Sequence, residues 1–589
     1  MEKERTITVD LCVVGAGMAG ICAAVAAARR GLKVALVHDR PVVGGNASSE
    51  IRVWIRGAST LFPDYREGGV IEELASDNIR YNPDMNFSQW DAVLYNKLVS
   101  EKNIELFLNS TCVDAFAENG KISEIKAWQL TSYTYLRIRA EYFADCSGDC
   151  ILAEPTGAKY RKGRESRGEF GESLALEKCD SRTMGNSCML QAHETDKPVS
   201  YIAPPFAYKF CDEDFAHRLD IYSPIDLRFQ NFWWLEIGGD GDALADSEAY
   251  NRELISRAYG IWDYIKNSGR FSCENWELDW VGCLAGKRET RRYKGDYILT
   301  QNDIDEARHF QDEVAYGGWS MDDHNPAGIK TSLPPNIHHP VKSPYSIPYR
   351  CLYSENIENL FFAGRNISAT HMALSSTRVM ATCALMGQAV GTACAVAKKY
   401  SVSPRGVLGH IEELQQMLRD DDCYLLHTPR RVSVTMKNAE TNLTSKEKEV
   451  FFSGIERDTD GVRRALIRKK GEVLSFRFKK AVFCNSIRIV FDNDISGNRY
   501  PEDAWFLKLY PNRGNVFKNM PRAFFNPSLA KAYRIYIHRD GRRKEIRREK
   551  DNFLRLIKIS VAEEIDGLEF VCDETYGADE VGIFSIDIL

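Results

Sequence analysis

The stretch that most constrains this chain runs from Ile7 to His38. Ile7, Val9, Leu11 and Val13 alternate with polar or small residues and lead into Gly15, the period of a strand entering a turn. Gly15, Gly17 and Gly20 then spell G-x-G-x-x-G. The Ala-rich run that follows predicts a helix stopped at Gly31, and KVALVH, ending at His38, reads as a second strand. Strand, glycine turn, helix and strand in this order open a dinucleotide-binding unit. The glycines let backbone approach a pyrophosphate. Met18 and Ala19, at the helix start, supply N–H donors and the positive end of the dipole.

A second glycine pair follows, in RPVVGGNASSE (40–50). Gly44 and Gly45 bring backbone to the ligand again, and Asn46 and Ser48 lie beside them. The position that usually holds the adenosine ribose with a carboxylate carries His38, followed by Asp39 and Arg40. A neutral imidazole or the Asp39 carboxylate can hydrogen-bond a ribose. Alternatively, His38 is a surface residue at a strand end.

The paired glycine loops resemble the flavoprotein superfamily related to glutathione reductase and succinate dehydrogenase. AEYFADCSGDC (140–150) resembles the strand that touches the cofactor there, with Ser147 in the usual Thr place before Gly148. Asn359–Ala395 resembles the last strand, its Gly364, and the helix facing the flavin. GGNASSEIR, GRESRGEFGESLA, GKRETRRYKGDY and GRNISATH together resemble the bacterial FAD-dependent oxidoreductases, over residues 8 to 420 or so. The resemblance implies FAD as cofactor. It also implies contacts from Cys112, Val113, Ser147, Gly148, Gly364, Arg365, Ser376 and Thr377. Some relatives attach flavin through a His in the 40–50 loop; none stands there, so non-covalent FAD is expected.

At 589 residues the chain exceeds one core. The expected fold is an α/β Rossmann-like FAD-binding domain split between 1–150 and 346–400. An inserted α+β substrate domain spans 151–345, and a connecting helix spans 401–426. The remainder, 427–589, shows short alternating strands between turn signals, an all-β sandwich pattern. RVSVTMKNAETNL is read as one of these strands, and NSIRIVFD with the final VGIFSIDIL resembles the galactose-binding-like, discoidin-type sandwiches. The insertion carries aromatic rows (NFWWLEIGG, YGIWDYI, ENWELDW), more often core than binding surface, and its alternation predicts a substrate-facing sheet ringed by helices.

Net charge is −6, so no electrostatic footprint for nucleic acid or an anionic membrane exists. MEKERTITVD contains no apolar signal core, and a cytoplasmic protein is expected. The most apolar run, Met380–Val396, is broken by Gly387, Gln388 and Gly391, which argues against a membrane span. The 16 cysteines are scattered and read as reduced core thiols. Cys146 and Cys150 have no second pair at zinc spacing, so no metal is expected.

A bound flavin needs a charge stabiliser and a proton acceptor. A helix beginning near Ser375–Thr377 would point its N-terminus at the pyrimidine edge. His371, between that helix and the GRN turn, is the expected proton acceptor. Arg378 is expected to bind an anionic or polar substrate group, or to pair with Glu172 or Glu289. Arg365 stands where wider relatives carry an acid, which suggests a phosphate contact or a different local geometry. Arg52, Arg288, Arg291 and His324 either approach the site or form ordinary salt bridges. No second G-x-G-x-x-G sits between a strand and a helix, so electrons are expected from an organic substrate. They would leave to oxygen, a quinone or another carrier. The leading expectation is a dehydrogenase or oxidase of a small polar molecule, a sugar or sugar-derived alcohol. A reductase of an unsaturated acid is the alternative, and a sugar-binding protein with structural FAD a third. A homo-oligomer is compatible with the sequence.

Overall fold

A computed structural model describes residues 3–215, 227–499 and 514–589. Its first layer contains β1 (Lys3–Val14), β2 (Val34–Val37), β3 (Ile104–Phe107) and β6 (Thr134–Asp145), parallel in the order β3-β2-β1-β6. β4 (Ser110–Glu118) and β5 (Lys121–Gln129) form an antiparallel hairpin paired to the first half of β6. The strand Leu360–Phe362 pairs in parallel with Phe143–Asp145, so distant parts of the chain complete one sheet. Leu11, Cys12, Val13 and Val14 are all buried, as expected for a parallel strand covered on both faces. The carboxyl ends of β1 and β6 converge on Gly15 and Ser147, where ligands of such sheets bind.

Helix α1 (Met18–Arg29) lies against the helix Met380–Tyr400. Gly387 and Gly391 share one face at i, i+4. A Cβ on Gly387 would lie 2.0 Å from the Ala19 carbonyl oxygen, and one on Gly391 2.1 Å from that of Ala23. The glycines that interrupt the apolar run therefore let two backbones touch. Met380–Tyr400 has the length and composition to cross a membrane, but 94% of its apolar window is buried inside this protein.

The insertion differs from the single sheet expected. It holds two- and three-stranded pieces around the helix Ser247–Asn267, because its strands are short and separated by turns. Phe232, Trp234 and Trp262 are core. Trp233 instead meets the His324 ring edge-on at 5.4 Å.

The C-terminal strands form one seven-stranded antiparallel sheet, consistent with a β-sandwich. Val473–Phe491 is broken by register shifts between Arg477 and Val482 and between Cys484 and Ser486. Both halves of the sheet supply the core, through Leu474, Phe476 and Phe570 and through Ile489, Ile583 and Ile586. RVSVTMKNAETNL is not a strand. Ser433 caps a short helix, Val434–Lys437, leaving only Glu440–Thr441 extended; the local cap outcompetes the alternation. The connecting helix is Ile411–Asp420, and Arg488 of the sandwich donates to the carbonyls of Arg419 and Asp420 at its end. Residues Asn515 and Val516 return to bond Ala192 of the insertion, so the C-terminal part is tied into the rest of the chain. All sixteen cysteines are free and most are buried.

Candidate active site

Two glycine loops meet at the end of β1. Gly44 N–H donates to Ala16 O at 2.8 Å, and Gly17 and Gly44 form an isolated parallel bridge. Gly15 has φ +98°, and its Cβ would stand 2.6 Å from backbone of Cys146 and Ser147. A Cβ on Gly20 would meet Gly15 O at 1.9 Å, and one on Gly45 would meet Gly17 Cα at 3.0 Å. Gly17 is different. Its φ is −71°, and its Cβ would find no atom nearer than 3.9 Å. The protein's own packing does not require glycine there; the open space is a cradle. No side chain caps α1, leaving its first N–H groups for a ligand. Ser48 Oγ is buried beside the loop without a partner. These features fit a pyrophosphate.

His38 is not a surface residue, and it is not available to a ribose. It is 4% exposed; Ala16 N–H donates to Nδ1 at 3.2 Å, and Nε2–H donates to the Val42 carbonyl at 3.1 Å. Burial, aided by the Arg40 guanidinium, pushes its pKa down to about 4. It is a neutral brace for the glycine turn. Asp39 beside it has a side chain 61% exposed. Arg40 lies 3.5 Å from Gly45 O and from Glu50. The register shift between Cys112 and Asp114 in β4 leaves Val113 out of the ladder. Asn46 Nδ2 donates to Lys287 O.

Ser147 donates to the buried Asp145 carboxylate. Gly148, φ +77°, packs on the Arg365 guanidinium. Arg365 donates to Asp149 at 2.6 Å, and Lys287 pairs with the other oxygen of that carboxylate at 2.7 Å. Burial raises the Asp149 pKa, but these two cations outweigh it and hold the carboxyl well below the carboxylate range. Arg365 and Lys287 thus share one carboxylate, and Arg365 Nε is buried without a partner. Gly364, φ +114°, lies next to Ala19 of α1.

Two expectations are corrected at the last helix. Ser375–Thr377 is the final turn of a short helix, His371–Thr377; the long helix begins at Met380 with Val379 as its uncapped N-cap. Ser376 Oγ donates to Trp319 O and bonds Tyr345 Oη, so it is spent on protein. Thr377 Oγ1 is buried without a partner.

His371 does not serve as a neutral-pH proton acceptor. It is 3% exposed, with Glu289 at 2.8 Å from Nδ1 and Asp323 at 3.1 Å from Nε2. Burial opposes its charge, but the two carboxylates outweigh burial and raise its pKa to about 10. Both ring nitrogens donate, and no lone pair remains. Because the folded pKa lies above the unfolded value of about 6.5, the stabilisation is complete below that pH and is lost as pH rises towards 10. Between pH 6.5 and 10, wild type should therefore lose melting temperature faster than His371→Gln; parallel pH profiles would count against an imidazolium.

Arg378 pairs with neither Glu172 nor Glu289. It donates to Asp322 at 3.1 Å, while Glu172 accepts from Thr370. Asp322 also meets His324 Nε2 at 3.2 Å, and His324 Nδ1 meets Glu236 at 2.6 Å. Glu236 is 3.2 Å from Arg288. His338, its side chain 55% exposed, stands at the edge of this cluster, 3.4 Å from Asp322. Arg52 turns to Gln191 and over the Trp280 ring at 4.1 Å; Arg291 makes a peripheral ion pair with Glu154. Sequence reasoning missed Glu236, Asp322 and Arg56. SMDDHNP does hold Asp322, but its partners arrive from distant segments.

A parallel sheet, a dinucleotide cradle and a charge-lined face beside it define a nucleotide-cofactor enzyme. Residues 10–418 match the family model described as FAD dependent oxidoreductase. The chain belongs to that family; it is an enzyme, and its cofactor is FAD. No curated protein matches it. Among solved structures it is similar to a geranylgeranyl bacteriochlorophyll reductase-like protein from Thermoplasma acidophilum, at 13% identity and TM-score 0.32, covering 70% of this chain and 86% of that one. An E. coli quinol fumarate reductase aligns at 14% identity and TM-score 0.27, over 71% and 75%. A family 32 carbohydrate-binding module from Streptococcus pneumoniae EndoD aligns at 9% and TM-score 0.20, over 27% and 99%.

Proposed function

We propose that this enzyme oxidises a small polar, carbohydrate-derived substrate with FAD held non-covalently. The cradle left open at Gly17 carries the reading. FAD, when bound, supplies the hydride acceptor. Gly15, Gly17, Gly44, Gly45 and the first N–H groups of α1 hold the pyrophosphate. Asp39 takes the ribose hydroxyls, and the Val113 backbone meets the adenine. The N-terminus of Met380–Tyr400 faces the pyrimidine edge and favours negative charge there. The carbohydrate preference rests on the resemblance of the C-terminal strands to galactose-binding-like sandwiches.

Anaerobic stopped-flow mixing with sugars, sugar acids and hydroxy acids tests this directly. A sugar or its derivative should bleach the oxidised flavin. Acid precipitation should leave flavin in the supernatant; flavin in the pellet would sink the non-covalent assignment. Reoxidation of pre-reduced enzyme by an unsaturated acid, with no bleaching by any alcohol, would reverse the direction.

A further inference from the structure

We infer that Arg56 is the docking point for a carboxylate on the substrate. This rests on the flavin reading of the site above. Arg56 is fixed at the start of the helix that faces the flavin: its carbonyl accepts from Ala381 N–H at 3.0 Å. Arg288, Arg292, Arg365 and Arg378 each have a carboxylate partner. Among the described residues Arg56 has none, and its guanidinium meets no hydrogen-bond acceptor, only the Trp54 ring 5.1 Å away.

The nearby Glu67 carboxylate is spent on Ala58 N–H at 2.6 Å, and two indole donors stand in the surroundings. Trp54 Nε1 and Trp319 Nε1 are both buried without a partner. Trp319 belongs to the same corner: its carbonyl accepts from Ser376, and its neighbour Gly318 packs on Ala58, two residues beyond Arg56. Burial alone lowers the Arg56 pKa to about 10, with no counter-charge contributing, so it is cationic at neutral pH. A partly buried cation without a counter-ion is costly to maintain. A carboxylate offsets that cost, because its two oxygens match the guanidinium fork, with the indole N–H groups available for further oxygens. The substrate class is therefore an acid: a sugar acid or hydroxy acid rather than a neutral sugar.

Matched pairs separate charge from shape. The purified full-length protein is titrated calorimetrically with glucuronate against glucuronamide and lactate against lactamide, and the oxidised flavin spectrum is followed in parallel. Acids should bind at least tenfold tighter than their amides and perturb the flavin bands. Arg56→Met should lose the preference and keep its FAD, while Arg56→Lys should retain part of it. Equal binding of acids and amides, no binding of either, or an unchanged preference in Arg56→Met overturns the proposal. A protein without flavin that still prefers acids through Arg56 would support the docking role and fail the flavin reading instead.

Discussion

Gly17→Val should fold and fail to hold FAD. The argument is steric. Residue 17 has φ −71°, a conformation open to any residue, and a Cβ there is 3.9 Å from its nearest protein atom. A valine therefore costs the empty protein little and fills the space reserved for the pyrophosphate. FAD affinity should fall by about 100-fold or more, on the order of 2.7 kcal/mol. The Tm should match that of flavin-free wild type, which is the correct reference because bound ligand itself stabilises. Gly20→Ala is the contrast: its Cβ would meet Gly15 O at 1.9 Å, and the glycine turn could not close on the helix. The flavin-to-protein ratio after gel filtration, read with circular-dichroism melts, distinguishes the two. Stoichiometric FAD in Gly17→Val would remove the cradle from this site.

Glu289→Ala should be the most destabilising single change in the charge network. Glu289 is fully buried. It pairs with Arg292 and His371 and accepts from Met184 N–H at 3.0 Å. Burial raises its pKa, but His371 and Arg292 outweigh burial and keep it ionised. Removing it leaves two interior cations short of counter-charge, with only Glu165 and Asp323 remaining. Breaking one side of such a buried pair costs about 3–5 kcal/mol. Glu289→Gln, which keeps the shape and can accept from Met184, should lose less. Thermal melts of the three proteins decide it: a Glu289→Ala midpoint within a degree of wild type would mean that the network carries no such load.

Local pattern was enough for the opening of the fold. The alternation from Ile7 to Val13 and the spacing of Gly15, Gly17 and Gly20 place β1, the turn and α1 where the structure has them, because these depend on near neighbours. The FAD family was legible for the same reason: its motifs are contiguous. Local pattern misled where a short-range alternative was as good, as at Ser433, whose side chain caps a helix inside a run that alternates like a strand.

The roles of individual charged residues were decided only by the tertiary structure. His371 follows the GRN turn, the place from which the sequence suggests a proton acceptor. Its state is set by Glu289 and Asp323, 82 and 48 residues away in the chain. His38 looked like a ribose contact until Ala16 and Val42 took both of its nitrogens. Arg56 drew no notice in the sequence, because its distinguishing property is that it has no hydrogen-bond partner among the described residues. Sequence by itself determined which cofactor this chain holds, since backbone shape and helix ends are encoded locally. Which side chains remain free to act depends on desolvation and Coulomb partners brought from far along the chain, and only the folded protein assembles those.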